Sequence, residues 1–377
     1  MEDLSIGKGD GGDVAIQIID ILNRLGLLTT QPISIDESVE NAVRAFQQSR
    51  GLTVNGVVNS VTLRALEEAR WKLGDRSLYL QSALLMRGDD VATLQGRLTD
   101  MGFNCGRVDG VFGPRTESSV REFQQSGGVM VDGKCGPATI TALIRLTRTV
   151  SGGTPSILRE SAMQKNRGPA LANKVIVLDP SCGGANHGIC AHNVEESEIV
   201  YDIAQRLEGR LLALGVSVFL TRGVNNSPSE AERIAFANET NVDLIVSFHA
   251  DRYVNENAHG VATYFYGSQA HGIHSVVGER FASLVQREIC ARTDLLNCRT
   301  HAKTWDLLRL TKAPTVQIDL GYLTNPGDAQ RLGRPDFRDV IAESLVIAIQ
   351  RLYLASEDDA KTGTLRIADL RKAGIRR

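Results

Sequence analysis

No run of apolar residues in the 377-residue sequence is long enough to span a bilayer, which excludes a protein built on membrane-spanning helices. Charge of one sign is also missing. Lys and Arg number 42 against 44 Asp and Glu, a formal net charge of −2, so no global field draws the chain to nucleic acid or to an acidic membrane. No nucleic-acid partner is expected. The first residues, MEDLSIGKGDGG, carry two acids at once and no basic segment, and no apolar leader core precedes Gly12. The stretch Val14–Leu28 is interrupted at helical spacing by Asp20, Asn23 and Arg24 and reads as an amphipathic helix. With no export signal legible, the expected location is the cytoplasm, with peripheral attachment to the inner face of the membrane as its widest extension. Cysteine is sparse: Cys105, Cys135, Cys182, Cys190, Cys290 and Cys298. Reduced thiols are the default in so large a leaderless chain, with Cys105/Cys135 and Cys290/Cys298 left open as spatial neighbours.

What is present is the balance of a folded protein, 42% hydrophobic and 23% charged residues, at a length that calls for two or three domains. An internal repeat organises the first part. Val43-Arg44-Ala45-Phe46-Gln47-Gln48-Ser49 returns 77 residues later as Val120-Arg121-Glu122-Phe123-Gln124-Gln125-Ser126. The same offset carries Val54-Asn55-Gly56 onto Val131-Asp132-Gly133, while Ile18, Leu22 and Leu25 match Leu94, Leu98 and Met101 one position out of step. Each copy reads as three short helices, over 10–70 and 86–147.

A polar, Gly- and Pro-bearing linker, 148–173, follows, and the pattern then changes. Strands are expected at 175–178, 216–220, 244–248 and 315–320, and helices at 196–214, 281–289 and 337–354. This alternation predicts an α/β domain over 174–354 with a mostly parallel sheet, whose ligands sit at the carboxyl ends of the strands. The whole is a multidomain chain: two small all-α repeats, then an α/β domain, then a polar tail, 355–377.

The second repeat carries Leu94-Gln95, Asp109-Gly110-Val111-Phe112-Gly113, Thr116, Phe123-Gln124 and Val131-Asp132-Gly133. It resembles the peptidoglycan-binding domain family, which implies peptidoglycan or precursor fragments as ligands. The first copy has Ile35-Asp36-Glu37-Ser38-Val39 where the DG.FG element is expected, so it is degenerate. A compact scaffold whose glycines serve turns is the plainer reading of both copies.

The α/β part carries Asp179-Pro180-Ser181-Cys182-Gly183-Gly184, Glu195-Glu196 opening a helix, Ser247-Phe248-His249-Ala250-Asp251, and Asp319-Leu320-Gly321-Tyr322-Leu323-Thr324-Asn325. This set is similar to the amidase_3 family of zinc-dependent N-acetylmuramoyl-L-alanine amidases. Leu220-Thr221-Arg222, Arg233 with Ala237-Asn238, and Leu308-Arg309-Leu310-Thr311 add framework matches. The resemblance implies a His, Glu, His set around Zn²⁺ and a late Glu as general base, the ion acidifying its water and polarising the amide. Here Glu196 and His249 stand at two metal positions, Cys182 stands where the family has His, and Asp319 stands where it has Glu. Cysteine can ligate zinc as thiolate, but from nearer the backbone and with more donated charge. Asp319 retracts its carboxylate by about one methylene, and misplacement of ~1 Å can cost on the order of 10²-fold. Efficient hydrolysis is therefore not expected, and zinc at most at low occupancy. Plainer readings stay open: Cys182 as a small buried hydrophobe, Glu196 as a helix-start acid, His249 as a hydrogen-bonded strand residue. The spacing of Cys182, His187, Cys190 and His192 fits no standard zinc knuckle.

In the tail, Thr362 and Thr364 each have an apolar residue three places on, beside Lys361 and Arg366. A phosphate there adds about −1.5 to −2 charge. A plain solvated tail is the alternative. The layout as a whole resembles the actinobacterial CwlM-type family. That resemblance implies a regulator phosphorylated by a Ser/Thr kinase that activates MurA, the first committed enzyme of precursor synthesis. More weakly, it implies contacts with a forkhead-associated-domain protein and with the flippase MurJ. A working zinc amidase is the competing expectation.

Overall fold

Two three-helix repeats open the chain in the computed structural model, which describes residues 5–147, 160, 162, 171–268 and 273–353. In repeat 1, α1 (Asp13–Arg24), α2 (Glu37–Arg50) and α3 (Ser60–Ala69) close on Ile18, Leu22, Val43, Phe46 and Leu66. In repeat 2, α4 (Asp89–Asp100), α5 (Pro114–Gly127) and α6 (Pro137–Thr147) close on Leu94, Leu98, Phe112, Phe123 and Leu143. A two-residue ribbon of β1 (Ser5–Ile6) and β2 (Val58–Asn59) ties the start of the chain to repeat 1. Side-chain caps set helix starts: Asp36 accepts from Val39 N–H and Asn59 from Thr62 N–H. Gly51 and Gly128 end α2 and α5 in the left-handed conformation, at φ 65° and 66°, which glycine adopts without strain.

The repeated sequence has a specific physical cause. The buried Gln47 amide donates to Asn55 Oδ1 (3.0 Å) and Val57 O (2.9 Å) and accepts from Asn55 N–H and Gly56 N–H. Gln124 does the same to Asp132 Oδ1 (2.8 Å), Lys134 O (3.0 Å), Asp132 N–H and Gly133 N–H. Gln95 makes a third such clamp on Asp109, Gly110 and Val111. Each glutamine thus satisfies the buried backbone of one Asx-Gly turn. In repeat 1 the residue matching Gln95 is Ile19, 2% exposed, and the DG.FG turn is gone with its clamp.

The α/β domain follows. Its elements are β3 (Val175–Pro180), a hairpin of β4 (Cys190–Ala191) and β5 (Val194–Glu195), α7 (Glu196–Ala213), β6 (Ser217–Leu220), α8 (Glu230–Glu239) and β7 (Leu244–Asp251). Then come β8 (Val261–Ser268), β9 (Ile273–His274), α9 (Val276–Arg292), β10 (Asn297–Lys303), α10 (Asp306–Leu310), β11 (Thr315–Tyr322), α11 (Pro326–Leu332) and α12 (Pro335–Tyr353). The sheet runs β10-β8-β11-β7-β3-β6. It is mixed but mostly parallel: β8 runs antiparallel to β11, and β9 to β8, while the other pairs are parallel. Leu178, Val246, Phe248, Val316 and Ile318 of the sheet share one core with Ile203 and Leu207 of α7, Phe281 of α9 and Leu345 of α12.

The sequence reading missed β8 and β10. Strand β8 is buried along nearly its whole length, so it shows no alternation, and β10 is a polar, half-exposed edge strand. All six cysteines are free. Cys105 and Cys135 share the repeat-2 core. Cys290 and Cys298 are close enough for one thiol to raise the pKa of the other, with burial as the larger cause. Nearly all of the linker and the whole tail, with Thr362 and Thr364, lie outside the described residues.

The clamp makes a measurable demand. Gln124→Leu leaves the buried Gly133 N–H without its acceptor and removes one of two partners from Asp132 N–H and from Lys134 O. At ~1–3 kcal/mol for an unsatisfied buried group, repeat 2 is expected to lose about 1–3 kcal/mol. Urea unfolding of the full chain measures it, and an unchanged midpoint refutes the clamp.

Candidate functional site

The candidate residues converge at the end of the sheet where β3 stops and α7 begins. The carboxylate that anchors this region is Asp179, fully buried at the end of β3. It accepts from Thr221 Oγ1 (2.6 Å), Ser247 Oγ (2.7 Å) and Arg233 Nη1 (2.6 Å). Burial alone raises a carboxyl's pKa, but the Arg233 guanidinium and these donors hold Asp179 below its ordinary value, so it is ionised. Arg222 continues the frame: it donates to Pro180 O (2.6 Å) and Ser197 O (2.9 Å) and lies across Gly183, where a Cβ would stand 2.6 Å from its side chain. These contacts give the Thr221-Arg222 and Arg233 framework matches their function.

Cys182, Glu196 and His249 are brought together on this frame. Glu196, 6% exposed, opens α7. Its Oε1 accepts from Ala250 N–H (3.1 Å) and Ser181 Oγ (3.2 Å), and its Oε2 from Ile189 N–H (3.0 Å). His249 Nδ1 lies 3.7 Å from Oε1. Burial pushes the imidazole below its ordinary pKa against the pull of Glu196, so it is neutral. The Cys182 thiol is buried, and burial with the Glu196 charge pushes it up to about 11, so it carries its proton at neutral pH. Gly188, at φ 67°, passes between the two: a Cβ on it would stand 2.5 Å from both Cys182 Sγ and Glu196 Oε2.

Asp319 lies within β11, in register with His249 of β7 on one side and Ala262 of β8 on the other. It is 8% exposed and accepts from Gln317 Nε2 (3.0 Å), and Tyr264 of β8 stands in register opposite Gln317. Burial pushes its carboxyl up to about 7, with the Asp251 and Glu196 charges adding to the rise. Asp251 is itself raised by burial. The sequence reading did not single out Asp251, Tyr264 or Lys303 as site residues. Asp251 was legible as the last residue of the Ser247–Asp251 motif. Tyr264 and Lys303 belong to the two unrecognised strands.

Whether this donor set suits zinc is decided by its chemistry. A metal needs a thiolate, a neutral imidazole and a carboxylate lone pair directed at one point. In the metal-free chain the imidazole is neutral, the thiol keeps a proton that a bound ion would have to displace, and both Glu196 oxygens accept hydrogen bonds, Oε2 from Ile189 N–H alone. Among the described residues, no group of three or more His, Cys, Asp or Glu is arranged to hold a metal ion. As arranged, the site does not fit zinc. His187 instead pairs with Glu195 (2.8 Å), and His192, at φ 50°, lies in the turn joining β4 to β5 with Nε2 3.3 Å from Thr324 O. Neither meets Cys182.

The N-acetylmuramoyl-L-alanine amidase family model matches residues 176–351, and the peptidoglycan binding domain model matches 13–66 and 87–143. Over the whole length, the chain is 44% identical to the N-acetylmuramoyl-L-alanine amidase CwlM of Mycobacterium tuberculosis, covering 96% of this chain and 93% of that protein. The chain belongs to the CwlM family. Other relatives of this CwlM-family chain match about half of it. The germination-specific N-acetylmuramoyl-L-alanine amidase of Bacillus subtilis is 26% identical over 50% of this chain and 83% of its own length. Among solved structures, the amidase AmiC2 of Nostoc punctiforme is 25% identical over 47% of this chain and 94% of its own, with a TM-score of 0.43. No helix among the described residues is long and apolar enough to cross a membrane.

Because Glu196 serves as a hydrogen-bond hub, Glu196→Gln is expected to destabilise metal-free protein by roughly 1–3 kcal/mol, since its amide would face the Ile189 N–H donor to donor. Thermal unfolding in the presence of a chelator measures this. An unchanged transition would mean that Glu196 is reserved for a ligand rather than built into the fold.

Proposed function

We propose that this CwlM-family chain is a cytoplasmic, non-hydrolytic regulator of peptidoglycan precursor synthesis that works by protein–protein contact. One observation carries the reading. Where the amidase family holds its metal, a protonated Cys182 packs beside a Glu196 carboxylate already committed to Ser181, Ile189 and Ala250. Asp319 in place of the family's Glu adds to it. The partners follow from the family resemblance: MurA as the enzyme activated, a Ser/Thr kinase acting on the tail, a forkhead-associated-domain protein that reads the phosphothreonine, and, more remotely, MurJ. Peptidoglycan or precursor fragments are the ligands of the repeats in this reading.

A zinc-dependent N-acetylmuramoyl-L-alanine amidase is the second reading, and one observation favours it. A carboxyl with a pKa of about 7 has the proton affinity that general-base catalysis at neutral pH requires, and Asp319 has it. Metal analysis of the purified chain, paired with digestion of muropeptides, separates the two. Substoichiometric, chelator-labile zinc and no release of stem peptides are expected. Cys182→His with Asp319→Glu restores the family residues and serves as the control. Chelator-resistant, stoichiometric zinc with turnover by the unaltered chain overturns the regulator reading.

The switch is tested separately. A phosphate on Thr362 or Thr364 offers charge-assisted hydrogen bonds to arginines on a partner. Kinase-treated chain is expected to stimulate MurA more than a kinase-treated Thr362→Ala/Thr364→Ala variant does. Equal stimulation by the two removes the tail from the mechanism.

A further inference from the structure

The repeats and the α/β domain meet through buried charge. Arg309, in α10, donates from both terminal nitrogens to Glu68 of α3, at 2.6 and 3.0 Å, and also to Asp306 at 2.8 Å. Asp306 in turn pairs with Arg64 of α3. Arg309 and Glu68 are 14% and 13% exposed, so this is a desolvated fork rather than a surface pair. Hydrogen bonds extend the contact: Thr304 Oγ1 to Arg50 O (2.8 Å), Arg107 Nη1 to Thr311 O (2.6 Å), and Tyr266 hydroxyl to Val108 O (2.8 Å). Within the junction lies a cleft of about 260 Å³ bordered by both repeats and the α/β domain.

The same face leads toward the candidate site. Trp305 packs against the repeat-1 core. Its ring lies 4.7 Å from that of Tyr264, and Tyr264 of β8 stands in register opposite Gln317 of β11, which donates to Asp319 Oδ1 (3.0 Å). Gly51, at the end of α2, lies against Lys303: a Cβ added to it would stand 3.1 Å from Lys303 Cδ. Lys303 Nζ in turn sits 5.4 Å from the Trp305 ring centroid and 5.7 Å from that of Tyr264. Repeat 1 therefore lies against an aromatic wall, Trp305 and Tyr264, that borders the Gln317–Asp319 pair.

We propose that repeat 1 and the α/β domain form a charge-locked latch centred on Arg309, whose closed state holds the Trp305–Tyr264 wall against Asp319. The repeats then act on the candidate site from within the chain, rather than as independently tethered binding modules. Tyr264 is a positioning residue in this device. The proposal stands whether the α/β domain hydrolyses its family's substrate or not.

The full chain tests it in a Trp71→Phe background, which leaves Trp305 as the single tryptophan of the two in the sequence. Glu68→Arg sets a cation against Arg309 and is expected to open the latch. Trp305 emission shifts to the red, the radius of gyration from small-angle scattering rises, and carbodiimide-driven labelling of Asp319, read by mass spectrometry, increases. Glu68→Arg with Arg309→Glu restores opposite charges across the junction and is expected to return all three toward the parent values. Glu67→Arg, on the neighbouring and more exposed position, is expected to change none of them. If Glu68→Arg loses helical circular dichroism, Glu68→Gln replaces it, with a smaller shift expected in the same direction. Unchanged emission and radius in a folded Glu68 variant overturn the latch, as does failure of the charge swap to restore them. An open latch with unchanged Asp319 labelling overturns the coupling to the site.

Discussion

Four carboxyls, Asp179, Glu196, Asp251 and Asp319, crowd one end of the β3–β7–β11 sheet, and the rest of the site is arranged around keeping them there. Like charges so placed in a low-dielectric interior raise one another's pKa unless something compensates. Three different compensations operate. Asp179 has the Arg233 cation and two hydroxyl donors. Glu196 has two backbone N–H groups and a serine. Asp319 has the side-chain donor Gln317, and its carboxyl is pushed up to about 7 by burial and by its neighbours. In a metal-dependent relative the family logic supplies a divalent cation at this point; here the protein's own donors take up Glu196.

The surrounding chain is packed around these donors. A serine at position 181 supplies a hydroxyl to Glu196, and the 183–189 loop folds close enough for Gly188 to sit against both Cys182 and Glu196. Cysteine suits this arrangement better than histidine, because its small side chain joins the hydrophobic core below the loop. The substitution at 182 and the loop conformation are thus one packing solution, and the regulator reading rests on that unit rather than on any single residue.

The repeats follow a second rule, in which a glutamine on a helix satisfies an Asx-Gly turn that the helix faces. Where Gln95 has become Ile19, the turn it would serve has been lost as well, so sequence degeneracy in the first copy has a defined structural counterpart. The first copy remains fully packed and serves as a docking element, since its α3 carries Arg64 and Glu68 to the α/β domain.

Much of this was legible in one dimension. The FQQS repeat, the strand–helix alternation and the gathering of Cys182, Glu196, His249 and Asp319 could be read because each depends on local periodicity or on a short motif. Strands β8 and β10 could not, since a strand buried on both faces loses its alternation, and β10 alternates in exposure but has too few apolar residues to show it in sequence. The antiparallel placement of β8 beside β11, which brings Tyr264 to Asp319, was hidden for the same reason. The sequence by itself determined which side chains were available at the site and that the first repeat had lost its DG.FG turn. Only the tertiary structure decided that Glu196 accepts from Ser181, Ile189 and Ala250, that burial raises the pKa of the Cys182 thiol, and that Glu68 reaches Arg309 across 241 residues. Burial, local dielectric and long-range pairing are properties of the packed chain, and no spacing of residues along it encodes them directly.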